Sequence, residues 1–190
     1  LAADLTSSTD PAAADYTRIG ATTAGNLSAN GLSLLNDVIG DLPFYAVDSV
    51  NEIEALAAVV NKVMALAANQ APAAALTTAD LALFGITGVQ TAQLAKFVAL
   101  LQDPTIAPAN SDTLAELRAL LATAAGEASL DIIKAYADAN SGTMPTLSDY
   151  ANVGVTGITS ANVSAIADQC PSPTQRLHRR SHHCRSRHRG

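Results

Sequence analysis

The sequence predicts an all-α protein: tandem three-helix modules in a linear, solenoid-like or rod-like array. Three observations lead there. The first is repetition: Asp80-Leu81-Ala82-Leu83-Phe84-Gly85-Ile86-Thr87-Gly88-Val89 returns as Asp149-Tyr150-Ala151-Asn152-Val153-Gly154-Val155-Thr156-Gly157-Ile158. A looser copy opens with Asp15-Tyr16-Thr17-Arg18-Ile19-Gly20 and, after a turn read as shorter, continues at Asn26-Leu27-Ser28. A second phrase, Asp48 to Leu56, is echoed by Asp112 to Leu120, so both recur at about 65 to 70 residues, a period suited to small stacked modules. The second observation is helical spacing of the apolar residues, at steps of three and four. The third is composition: about one residue in five is alanine, aromatics make up 4%, and tryptophan is absent. Alanine favours helix and allows close helix packing, so the core is expected to be thin and aliphatic.

The first helix of each repeat is short and opens on a capping box. Thr77 with Asp80, and Thr146 with Asp149, place an acid three residues after the cap. In the first copy Asp10-Pro11 is read as the cap, with proline at the first helical position. The helix is expected to stop at Gly20, Gly85 and Gly154, where a left-handed residue costs glycine little. A second helix follows, with Leu27, Leu32, Leu34, Leu35, Val38 and Ile39 as its apolar set in the first copy. In the second copy these positions are Leu94, Phe97, Val98, Leu100 and Leu101. Polar connections, Gly40 to Pro43 and Asp103 to Pro108, lead to a third helix capped by Ser49-x-x-Glu52 or Thr113-x-x-Glu116. Its apolar face is read as Val50, Ile53, Leu56, Ala57, Val60, Val63 and Met64 in the first copy. The second copy places Leu114, Leu117, Leu120, Leu121 and Ala124 likewise, and continues through Ile132, Ile133 and Tyr136 unless Gly126 breaks it. Asn69 to Pro72 and Asn140 to Pro145 are proline-containing joints between repeats. The resulting domains are 1–70, 71–142, a truncated 143–169, and a tail over 170–190.

Charge divides sharply along the chain. The acids all lie between Asp4 and Asp168, where the bases are Arg18, Lys62, Lys96, Arg118 and Lys134. An acidic body disfavours nucleic acid and anionic membranes as partners. No apolar run approaches the roughly 20 residues that span a bilayer, so no direct membrane insertion is expected. Lacking Cys and His, the body cannot hold a disulfide framework. Both cysteines and every histidine fall in the arginine-rich tail from Cys170. Its His178, His182, His183, Cys184 and His188 are the only metal-ligand candidates of that kind, yet they lack a clean paired spacing. CGN arginine codons read one base later yield Ala, Val, Asp, Glu or Gly, and shifted histidine codons yield Ile, Thr or Met. Those are the residues of the body, so the tail reads as a disordered frameshift product. The start Leu1-Ala2-Ala3-Asp4, in mid-pattern, reads as an internal fragment of a longer protein.

The repeated phrases resemble the three-helix GA (albumin-binding) module of bacterial surface proteins. The residues carrying the resemblance are Phe84-Gly85-Ile86 and Val153-Gly154-Val155, with Ser49 to Leu56 and Thr113 to Leu120. The Asp-Tyr-Ala-x-x-Gly-Val-Thr-Gly-Ile-Thr phrase is also similar to modules of very large bacterial adhesins. These matches are cap and core positions, which carry a fold and not a binding specificity. The resemblance implies an extracellular or cell-surface location. It also implies a structural spacer built of repeats, with neighbouring modules of the same chain as partners. The alternative it implies is a multivalent binding module for a host or matrix protein such as albumin, presented on exposed residues of the second helix such as Gln93 and Lys96. An enzyme is not expected: the body has no nucleophile–base arrangement, and Glu52 and Glu54 point to different sides of a helix. No catalytic, cofactor-binding or metal residue is assigned.

Overall fold

The computed structural model describes residues 10–139 and 142–168; the tail, and with it the candidate ligands His178 to His188, lies outside them. Among the described residues all regular structure is helical. In order these are α1 (Ala13–Arg18), α2 (Thr22–Gly25), α3 (Ala29–Asp41), α4 (Val50–Ala67), α5 (Thr78–Leu83), α6 (Thr91–Leu101), α7 (Leu114–Ala139), α8 (Leu147–Asn152) and α9 (Val163–Asp168). A single 3-10 turn precedes each long helix, at Phe44–Ala46 and Pro108–Asn110. Among the described residues packing gives two units, divided between Ala124 and Ala125. Boundaries at 70 and 142 thus mark the period of the sequence, whereas the unit of packing spans more than one period and ends inside α7.

The repeated glycine phrase turns out to be a helix-ending device used three times. The amide of Gly85 donates to the Ala82 carbonyl at 3.0 Å and that of Ile86 to the Leu81 carbonyl at 3.0 Å. This crossed pair is a Schellman motif, and it needs a left-handed residue, here Gly85 at φ 71°. Gly20 (φ 90°) and Gly154 (φ 78°) repeat it, with Ala21 bonded to Tyr16 and Val155 bonded to Tyr150 at 2.9 Å each. The motif's apolar contact joins the residue after the glycine to one a turn earlier; Ala21, Ile86, Tyr16 and Leu81 are all buried.

The caps form as expected at Thr77, Thr146 and Ser49, each side chain accepting from the amide three residues on. The first copy differs. Its cap is Ala12, and Asp15 supplies only the return bond, accepting from the Ala12 amide at 3.0 Å. Asp10-Pro11 therefore precedes the cap and does not form it; the Pro11 carbonyl is instead held by the Asn36 side-chain amide at 3.0 Å. The turn expected to be shorter in this copy is longer and coils into α2. Glu54 stabilises that coil, accepting from the amides of Thr23 at 2.8 Å and Ala24 at 3.5 Å, where a helix N-terminus favours negative charge.

Helix α4 departs most from its sequence reading. Besides the expected stripe of Leu56, Ala57, Val60, Val63 and Met64, it buries Val59, Leu66 and Ala67. Val50 at its first turn is exposed. The helix packs against α2 and α3, which precede it, and against α5 and α6, which follow it, so its buried face is one wide apolar arc. Gly31 lets α3 approach: a Cβ there would lie 3.3 Å from Val60 Cγ1 and 3.4 Å from Met64 Cγ. One continuous core results, running from Tyr16 through Leu34, Val60, Phe84 and Phe97 to Leu117 and Ala124.

Helix α7 runs unbroken through Gly126. The glycine is there for space, since its missing Cβ would stand 3.2 Å from the Asn152 carbonyl oxygen. Within residues 125–168, α8 is held to α7 by polar contacts: Ser129 Oγ donates to Asp149 Oδ1 and accepts from Asn152 Nδ2, both at 3.0 Å. Ala128 and Tyr150 are buried beside them in sequence.

Three helix or turn glycines should respond differently to alanine in urea unfolding. Gly40, exposed in α3 with open space around it, should gain about 0.5–1 kcal/mol. Gly126→Ala should forfeit that gain to the Asn152 carbonyl, and Gly85→Ala should lose about 1–2 kcal/mol to its left-handed backbone. A gain at Gly85 would refute the helix-ending role.

Candidate functional site

An open, shallow cleft of about 400 Å³ lies where α3 meets the start of α7. Asp10, Asp37 and Asp41 face it with Ser33, Asn36 and Thr113. Its carboxylates are largely engaged. Asp37 Oδ2 accepts from the Leu114 amide at 2.6 Å, adding a cap from a different helix to the start of α7. Arg118 pairs with Asp41 at 2.7 Å, both side chains half exposed. Thr113 and Glu116 complete the cap, with Glu116 Oε2 accepting from the amides of Asp112 and Thr113 at 3.1 Å each. Burial and the neighbouring Glu116 charge push the Asp112 carboxyl up. These groups fasten the second repeat segment to the first; they hold no nucleophile paired with a base.

Tyr16, part of the first copy of the repeated phrase, is buried with its hydroxyl donating to Asn36 Oδ1 at 2.6 Å. Burial, and then the Asp10 charge, push its pKa up to about 12, so it stays a neutral donor. Tyr150 and Phe84, the large residues of the other copies, are also buried. Among the described residues no group of three His, Cys, Asp or Glu could hold a metal ion, and no helix is long and apolar enough to cross a membrane.

A second fastening lies between α4 and α5. Lys62 Nζ reaches both Asp80 oxygens at 2.9 Å, with side chains only 20% and 14% exposed. Asp80 is also the return half of the Thr77 box, accepting from the Thr77 amide at 2.7 Å. Burial alone would raise its pKa, but the bonds from Lys62 and Thr77 outweigh it and hold the carboxyl below its ordinary 3.8. Asp149 shows the same balance: burial raises it, while Thr146 and Ser129 hold it low.

The surface of α6, where a binding face was expected, offers little to grip. Gln93 and Lys96 are half-buried, not exposed, and Gln93 Oε1 caps the helix through the Gln90 amide at 3.0 Å. Its exposed positions are Thr91, Ala92, Ala95 and Ala99. Sequence reading passed over a different feature, the turn after α3, where Phe44 is 55% and Tyr45 76% exposed. The adjacent aromatic pair in a turn was its signal, but the equivalent turn of the second repeat is Pro108-Ala109-Asn110, with no aromatic. Comparison with family models, with curated proteins and with solved structures finds no match in any of the three.

Asp80→Asn should cost about 1–2 kcal/mol at neutral pH, the scale of a helix cap with a partly buried ion pair. Because the folded pKa is depressed, that stabilisation is present above the unfolded value and is lost as pH falls through the folded one. The gap between the two proteins in thermal melts should therefore be flat above about pH 5 and close as pH drops below 3.8. A gap that persists unchanged to the most acid pH would contradict the assignment.

Proposed function

We propose that this chain is a length of structural spacer: tandem helical modules of a large exported bacterial adhesin or cell-surface protein, similar in plan to GA-type repeats. The observation that carries this reading is the sharing of α4. One helix supplies the core for its own repeat segment and receives α5 and α6 of the next, which is the nearest-neighbour coupling of repeat arrays. Two polar fastenings, Lys62 with Asp80 and Asp37 with the Leu114 amide, work in the same direction. The repeated residues serve as caps, turns and core, the parts a spacer must repeat. A spacer needs no specialised surface, and the alanine-lined exposed face of α6 suits that requirement.

A second reading, a protein-binding module, draws on the exposed Phe44-Tyr45 pair. Aromatic side chains dominate interface hot spots, so this turn is where a partner would anchor. Multivalent binding gains from having the anchor in every copy, and here the second turn lacks it.

Small-angle scattering of the chain and titration with serum albumin separate the two. The spacer reading expects an elongated particle and no saturable binding at micromolar albumin. Compact scattering would overturn it. Tight albumin binding that Phe44→Ala with Tyr45→Ala abolishes would give the case to the binding module.

A further inference from the structure

The three copies of the Gly-ended helix supply an internal comparison. In the second and third copies a long helix comes before the short one, and the short helix lays one face on it. Asp80 of α5 meets Lys62 of α4, and Phe84, the residue ahead of the turn glycine, is fully buried. Asp149 of α8 meets Ser129 of α7, and Val153, at the position of Phe84, is half-buried. In the first copy the same positions are Asp15 and Ile19, and no long helix precedes them among the described residues. Asp15 there is 53% exposed and reaches only local partners, the Ala12 amide at 3.0 Å and Arg18 at 3.2 Å, while Ile19 is 53% exposed. Yet the inward half of the motif is intact, since Tyr16 and Ala21 are buried as Leu81 and Ile86 are. Helix α1 is therefore folded and seated on its own repeat, with the outward residues of the motif left over.

We propose that the outward face of α1, built on Asp15 and Ile19, is a docking surface for the long third helix of another module of this kind, received as α5 is received on α4. The occupant follows from chemistry already present inside the chain. A helix like α4 would cover Ile19, and a basic residue at the position of Lys62 would meet Asp15 as Lys62 meets Asp80. The exposed i,i+3 pair of Asp15 with Arg18 is weak enough to be given up for it. This inference rests on the array reading above and adds a polarity: α1 forms the acceptor side of a module, and α4 or α7 the donor side.

The test inserts a second copy of residues 12–76 directly before Ala12 of the full chain, which reproduces the native spacing from α4 to α5 in front of the original α1. The probe is Ile19→Cys at the original α1, in a background with Cys170→Ser and Cys184→Ser, read by the rate of thiol labelling. In the unextended chain labelling should be fast; in the extended chain it should slow by roughly tenfold or more, and Lys62→Ala in the inserted copy should restore part of the rate. Unchanged labelling, or an extended chain that fails to gain helix by circular dichroism, would overturn the proposal. So would slow labelling in the unextended chain, which would mean that residues 1–9 already cover the face. As a second variant, Ile19→Phe should raise the melting temperature of the extended chain and not that of the native one; the reverse order counts against docking. Loss of docking with an elongated native chain would leave the spacer reading standing. Tight albumin binding would remove the spacer reading without touching labelling.

Discussion

Everything else in residues 10–124 depends on α4, an 18-residue helix that has to bury a wide apolar arc under elements on both sides of it in sequence. Burying a single Val or Leu side chain is worth about 1.5–3 kcal/mol, and this helix buries Leu56, Val59, Val60, Val63, Met64 and Leu66. A lone three-helix module would leave in water the part of that arc against which α5 and α6 pack. The helix is therefore stable in its observed form only when α2, α3, α5 and α6 all pack on it. Small size makes this sharing useful: a segment of one repeat has too little interior to outweigh its conformational entropy comfortably, whereas two that share a core reduce the exposed apolar area of both.

The polar chemistry of the chain serves the same end. Its best-placed carboxylates are caps and fasteners: Glu52, Asp80, Asp149 and Glu116 close the starts of helices, and Asp37 and Asp41 hold the start of α7 to α3. Hydrogen bonds from Ser49 hold Glu52 below the ordinary carboxylate range, as a cap in place at neutral pH requires. The segments that repeat most faithfully are those where the chain must stop being helical and turn, and left-handed glycine leaves few substitutes there.

Most of the helical plan was legible in the sequence because caps and glycine stops are local. Thr77 with Asp80, Ser49 with Glu52, and Gly20, Gly85 and Gly154 each act within one turn of chain, so spacing alone reveals them. What was not legible depends on distant residues. Val59 and Leu66 widen the buried face of α4 beyond the single stripe that the spacing shows, and α5 and α6, which pack on that helix, lie beyond Pro72. The coil of α2 relies on Glu54, far along the chain, and Ala12 stands as cap where Asp10-Pro11 fits the local rules better. The need for a glycine at 126 within α7 comes from the carbonyl of Asn152, more than twenty residues on. At the candidate site, the engagement of Asp37 and Asp41 by α7 is equally non-local, as is the half-burial of Gln93 and Lys96.

The claim that one helix serves two repeat segments is tested most directly by native-state hydrogen exchange on Val60→Ala. Val60 is fully buried in α4, and two lost methyls there should cost about 2 kcal/mol. If the core is shared, the amides of α3 and of α6 should lose protection together and by the same amount. If α3 is weakened while α6 keeps its original protection, the two segments have separate cores and the account is wrong.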